Sequence, residues 1–117
     1  MPITEKQVES AFVNYLQALG WEVSTKNVDY VDLIARRGSE VLVAELKGHT
    51  KSAGTAIDIG YGQLMRRMTI ELASAEFALV VPETLSRYVE RVHFDIRKRL
   101  GISVYLVGSE GEVHPMV

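Results

Sequence analysis

The sequence predicts a mixed α/β layer arrangement, with helices packed on a central sheet. Three observations carry that prediction. A capped amphipathic helix opens the chain, short apolar strand-like segments alternate with helical stripes behind it, and Gly- or Pro-containing breaks separate them. With 117 residues, 47% of them hydrophobic, there is apolar material for one core, and residues 1–117 read as a single domain.

The elements follow in order. Thr4 and Gln7 form a capping box, with Ile3 and Val8 placed as a hydrophobic staple. Val8, Phe12, Tyr15, Leu16 and Leu19 recur at helical spacing, and Gly20 suits the C-terminal cap. Trp21 to Thr25 alternates as a short strand. Tyr30–Ala35 and Val41–Lys47 read as two strands joined by the hairpin turn Arg36-Arg37-Gly38-Ser39-Glu40. Gly48 to Gly54 has loop composition. Thr55 with Asp58 marks a second helix, carried to Ala73 by Ile57, Tyr61, Leu64, Met65, Met68 and Leu72. Gly60 and Gly62 each cost about 1 kcal/mol relative to alanine there, so a start near Gly62 behind a mobile loop is the alternative. Glu76–Val81 reads as a buried strand ended by Pro82. A third helix is expected from about Leu85 to Leu100, closed by Gly101. Ile102–Val107 and a short strand near Val113, linked by the turn Gly108-Ser109-Glu110-Gly111, complete the chain.

Composition narrows the function classes. No apolar run approaches the length of a membrane span, and the first residues lack the apolar stretch of a signal peptide. Without cysteine there is neither a disulfide framework nor a thiolate metal site, and a cytoplasmic setting is expected. His49, His93 and His114 are widely separated without ligand spacing, which disfavours zinc. Any metal would be a hard, oxygen-liganded cation such as Mg²⁺ or Mn²⁺. A net charge of −2 argues against indiscriminate nucleic-acid binding.

Asp32, Glu45 and Lys47 need an explanation, because they interrupt otherwise apolar strands. Side chains alternate along a strand, so Val43, Glu45 and Lys47 share one face. A register that sets Arg36 against Val41 brings Asp32 and Glu45 together, whereas a one-residue slip separates them. Two carboxylates that close repel unless a proton or a cation lies between them. The bland alternatives are a Glu45–Lys47 ion pair on a solvated sheet and an Asp32 pair with Arg36 or Arg37. Asp29 competes for the role of Asp32, His49 reads as a bystander, and Trp21 and Phe77 as core.

Helix–strand–strand–strand–helix–strand, with Asp32 and then Glu45-Leu46-Lys47, resembles the PD-(D/E)XK nuclease superfamily over residues 4–81. Val43-Ala44-Glu45-Leu46-Lys47-Gly48 is the usual wording of its lysine strand, although Val31 stands where proline often precedes the aspartate. Gly62-Gln63, Val81-Pro82-Glu83 and a terminal hairpin around Val104-Tyr105 and Glu112-Val113 look like the excision-controlling-factor and Holliday-junction-resolvase-like families. The resemblance implies a restriction-endonuclease-like αβββαβ core, its central mixed sheet flanked by helices, with a C-terminal helix and hairpin as extension.

It also implies a divalent-metal-dependent nuclease hydrolysing phosphodiester bonds in DNA, duplex or branched. Asp32, Glu45 and Glu9 would be metal ligands, with the Leu46 carbonyl beside them. Lys47 would orient the attacking water, and Gln63 would hydrogen-bond the water or a phosphate. Lys51, Arg66 and Arg67 are the expected nucleic-acid contacts. Arg87, Arg91, Arg97, Lys98 and Arg99 read at least as well as solvated helix faces. Two-strand cutting would call for a homodimer. The alternatives are a non-catalytic DNA-binding or regulatory module acting in recombination or element excision, and a protein-interaction domain with an incidental charge pair.

Overall fold

A computed structural model describes residues 2–26, 31–69, 72 and 74–116. The first helix, α1 (Glu5–Ala18), opens with the capping box read from the sequence: Gln7 N–H donates to Thr4 Oγ1, and Thr4 N–H to Gln7 Oε1. Val8, Phe12 and Leu16 form its buried stripe, each worth about 1.5–3 kcal/mol of burial. Leu19, expected on that stripe, is instead exposed, because its backbone already leaves the helix as the C-cap.

Six strands follow: β1 (Glu22–Ser24), β2 (Leu33–Arg37), β3 (Glu40–Leu46), β4 (Glu76–Pro82), β5 (Ile102–Val107) and β6 (Val113–Met116). They form one mixed sheet in chain order. β1/β2, β2/β3 and β5/β6 are antiparallel, while β3/β4 and β4/β5 are parallel. β4 lies inside with Phe77 to Pro82 all buried, the unbroken apolar run of a parallel strand covered on both faces. β2 begins at Leu33, so Asp32 sits in the bend before it; Tyr30 and Asp29 lie outside the described residues.

Helices flank both faces. α1 packs on Leu33, Ala35, Leu42, Ala44, Ala78 and Val80. On the other face, α2 (Ala53–Arg66) covers Val43, Phe77, Leu79 and Val81 with Ile57, Tyr61 and Leu64. α2 corrects the sequence reading at both ends. It starts before Thr55 because Ala53 and Ile57 bury one turn apart, outweighing the glycines. It stops at Arg66, where Arg67 and Met68 turn back to Leu64 and Met65. Met65 is exposed, while Met68 and Leu72 still pack on the core from beyond the helix.

The expected third helix is broken. A 3₁₀ turn (Glu83–Leu85) leads into α3 (Ser86–Val89), and α4 (Phe94–Leu100) starts afresh. His93 has extended backbone, and its Nδ1 accepts the Asp95 N–H at 3.2 Å, capping α4. The radius of gyration, 13.1 Å, matches the roughly 13 Å of a compact chain this long. No described helix is long and apolar enough to cross a membrane.

Candidate active site

The hairpin sets the site. β2 and β3 pair with Arg36 against Val41 and Leu33 against Ala44, so the next position along brings Asp32 to Glu45. Asp32 is half-buried, and its Oδ2 accepts the Leu46 N–H at 3.0 Å. That bond ties the carboxylate to the end of β3.

Glu45 is wholly buried, and no described donor reaches either of its carboxylate oxygens. Burial lifts its pKa from the ordinary 4.5 to about 8. Asp32 adds to the rise, both by its charge and by facing Glu45 closely enough to share a proton, while Lys47 and Arg67 oppose it. A carboxylate this dry is no member of a solvated ion pair. Nor does Asp32 depend on Arg37, whose guanidinium bonds Glu40 and the Leu19 carbonyl and lies 4.5 Å from the Trp21 ring centroid.

Lys47 follows β3 directly, its backbone N–H bonded to the Val80 carbonyl at 2.9 Å. Its aliphatic chain runs beneath α2 at Gly60. A β-carbon at that glycine would lie 3.3 Å from Lys47 Cε and 3.0 Å from Leu79 Cδ1. Gly60 is therefore buried spacing that lets α2 pass over the lysine. Gln63 stands one turn further on, half-buried, its Oε1 enclosed and without a described partner. Arg67, one more turn along, contributes positive charge toward Glu45. Arg66 and Lys51 are exposed at the two ends of α2.

Gly48 has a different task. Its α-carbon abuts the backbone of Thr4 and Glu5, where any side chain would collide, and His49 N–H donates to the Ile3 carbonyl at 2.7 Å. The first turn of α1 is thereby docked on the end of β3. That brings Glu5 into the electrostatic field of Asp32 and Lys47: though exposed, its carboxyl pKa is raised above the ordinary range by partial desolvation first and then by Asp32, with Lys47 opposing. Glu9 lies further along α1, bonded to Lys6 at 3.2 Å. The two acids are four residues apart on one helix face, so spacing alone could not choose between them.

A second grouping appears past the ends of β4 and β5. One ligand atom each from Glu83, Glu112 and His114 fall within 4.8 Å of one another, a set that could hold a metal ion. All three are exposed, and exposed acids commonly gather without one. His114 had no ligand spacing in the sequence because sheet pairing across β4, β5 and β6 makes the group.

Comparison of the chain with protein-family models, curated proteins and solved structures finds no match in any of the three.

Proposed function

We propose that this chain is a divalent-metal-dependent nuclease domain that hydrolyses phosphodiester bonds in DNA, built on a restriction-endonuclease-like core. The observation that carries the reading is Glu45: a fully buried carboxylate with no donor on either oxygen among the described residues, facing Asp32. Such a group costs several kcal/mol when ionised unless a cation or a proton answers it. The donor set is oxygen only, which fits Mg²⁺ or Mn²⁺.

Asp32 and Glu45 would hold the ion, with an acid of α1 beside them. Glu5 is nearer in electrostatic terms than Glu9, which Lys6 engages. The ion would neutralise charge on the phosphate and acidify an attacking water. Lys47, its stem confined under Gly60, would present its ammonium to that water or to charge developing on the phosphate. The Gln63 amide, one helical turn away, would hydrogen-bond the same water or a non-bridging oxygen. Lys51 and Arg66, exposed at either end of α2, would meet flanking phosphates, with Arg67 supplying charge closer in.

The test is cleavage of labelled duplex, four-way-branched and single-stranded DNA with Mg²⁺ or Mn²⁺, for wild type, Asp32→Asn and Lys47→Ala. Metal-dependent cutting of at least one substrate by wild type, lost in both variants, is the expected result. Absence of cutting on every substrate, with no metal effect on melting, would sink the proposal. DNA binding without cutting, unchanged by Asp32→Asn, would instead support a non-catalytic binding module.

A further inference from the structure

Arg97 is the other buried charge among the described residues. On α4 it is only 5% exposed, yet among the described residues it makes no ion pair and no side-chain hydrogen bond, and its Nε is enclosed without a partner. The Phe94 ring, its centroid 5.8 Å from Cζ, offers its face to the guanidinium, a weak substitute for an anion. A guanidinium cannot escape this cost by losing its proton. A buried cation without a counter-charge destabilises the fold that holds it.

The same side chain lines a cavity of about 330 Å³ between α4 and the strands β5 and β6. Lys98 and Ser103 are polar members of its wall; Phe94, Ile102, Val104 and Met116 are apolar ones. Among the described residues no acidic side chain lines it. Phe94 is 48% exposed, an aromatic face left open beside the cation. β5 and β6 are two and three strands across the sheet from Glu45, roughly 10–14 Å at ordinary strand spacing. The cavity is therefore separate from the nuclease site and independent of that reading.

We propose that this cavity is an oxyanion site, in which Arg97 receives the carboxylate or phosphate of a small ligand whose apolar body rests on Phe94 and Met116. The volume suits a small molecule, the buried cation supplies the unmet charge, and the apolar wall supplies the rest of the contact.

Titration of ¹⁵N-labelled protein at constant ionic strength tests this, following the Arg97 Nε–H resonance, which is assigned by its loss in Arg97→Met or Arg97→Lys. Sodium phosphate and sodium benzoate are the two probes, one a bare phosphate and the other a carboxylate on a flat apolar body. A saturable shift with half-saturation below about 10 mM is expected, and the probe that produces it identifies the source of the anion. If neither probe moves Arg97 more than it moves the exposed Arg99, the proposal is wrong. Melting gives an independent reading. Arg97→Met should melt at or above the wild-type temperature in anion-free buffer, and the effective probe should raise only the wild type. A lower melting temperature for Arg97→Met, with no anion effect on wild type, would make Arg97 a packing residue and overturn the site.

Discussion

A carboxyl group whose pKa rises to about 8 on folding, as that of Glu45 does through burial and the facing Asp32, makes stability depend on pH with a definite sign. The folded state keeps the proton where the unfolded chain, with its ordinary value of 4.5, has released it. The stabilisation from that proton is complete below about 4.5 and is lost as pH climbs toward 8. Metal-free wild type should therefore lose about 2–4 kcal/mol across this window in urea unfolding, and Glu45→Gln should flatten most of that slope. A wild-type curve that stays level or rises would contradict the burial of an unanswered carboxyl. Glu5, shifted in the same direction, adds a smaller contribution of the same sign. The two acids of α1 can also be told apart. Glu5→Gln should weaken Mg²⁺ affinity about tenfold or more, and Glu9→Gln less than about threefold, because Lys6 already engages Glu9. Equal losses, measured by calorimetric titration, would return Glu9 to the site.

At the scale of elements, the contact between α2 and Lys47 turns on Gly60. Alanine there would gain up to about 1 kcal/mol of helix propensity but would press on Leu79, which is fully buried, and on the lysine stem. Net stability of Gly60→Ala should stay within about 1 kcal/mol of wild type, while metal-dependent cleavage falls about tenfold or more through the displaced Lys47. Gly62 is the control, since the nearest obstacle to a β-carbon there is the flexible Arg66 tip at 3.4 Å. Gly62→Ala should stabilise the fold by about 0.5–1 kcal/mol and leave cleavage unchanged. Equal cleavage by both variants would remove Gly60 from the site. Gly60 read only as a helix-weakening residue in the sequence, because a close approach involves a strand that propensity cannot see. The capping box at Thr4 and Gln7 was legible because all its partners lie within three residues. The break at His93 was not: the stripe continues through it, and the Nδ1 cap on Asp95 competes with helix only once the chain turns there.

Across the whole molecule, the parts of the candidate site that could be read in advance are those joined by one hairpin. Alternation and the Gly38 turn narrowed Asp32 and Glu45 to one shared face or two opposite ones, and the observed pairing of Arg36 with Val41 is the register that brings them together. Glu5, Arg97 and His114 depended on contacts between distant segments: α1 docked at Gly48, α4 folded back on β5, and three strands aligned past β4. Two places could hold a cation, Asp32 with Glu45 and the Glu83, Glu112 and His114 group, and paired variants separate them. Binding at Asp32 and Glu45 requires Glu45 to lose its proton, so Mg²⁺ affinity should rise by up to about tenfold per pH unit between 6 and 8. The Mg²⁺-induced rise in melting temperature should accordingly be larger at pH 8 than at pH 6. An ion held by Glu83, Glu112 and His114 would raise the melting temperature as well, so the shift alone does not assign the site. The variants do. His114→Ala should retain the full pH-dependent shift, whereas Glu45→Gln should abolish it. The reverse pattern would move the cation to the exposed cluster and leave Glu45 a carboxyl kept neutral by its own burial.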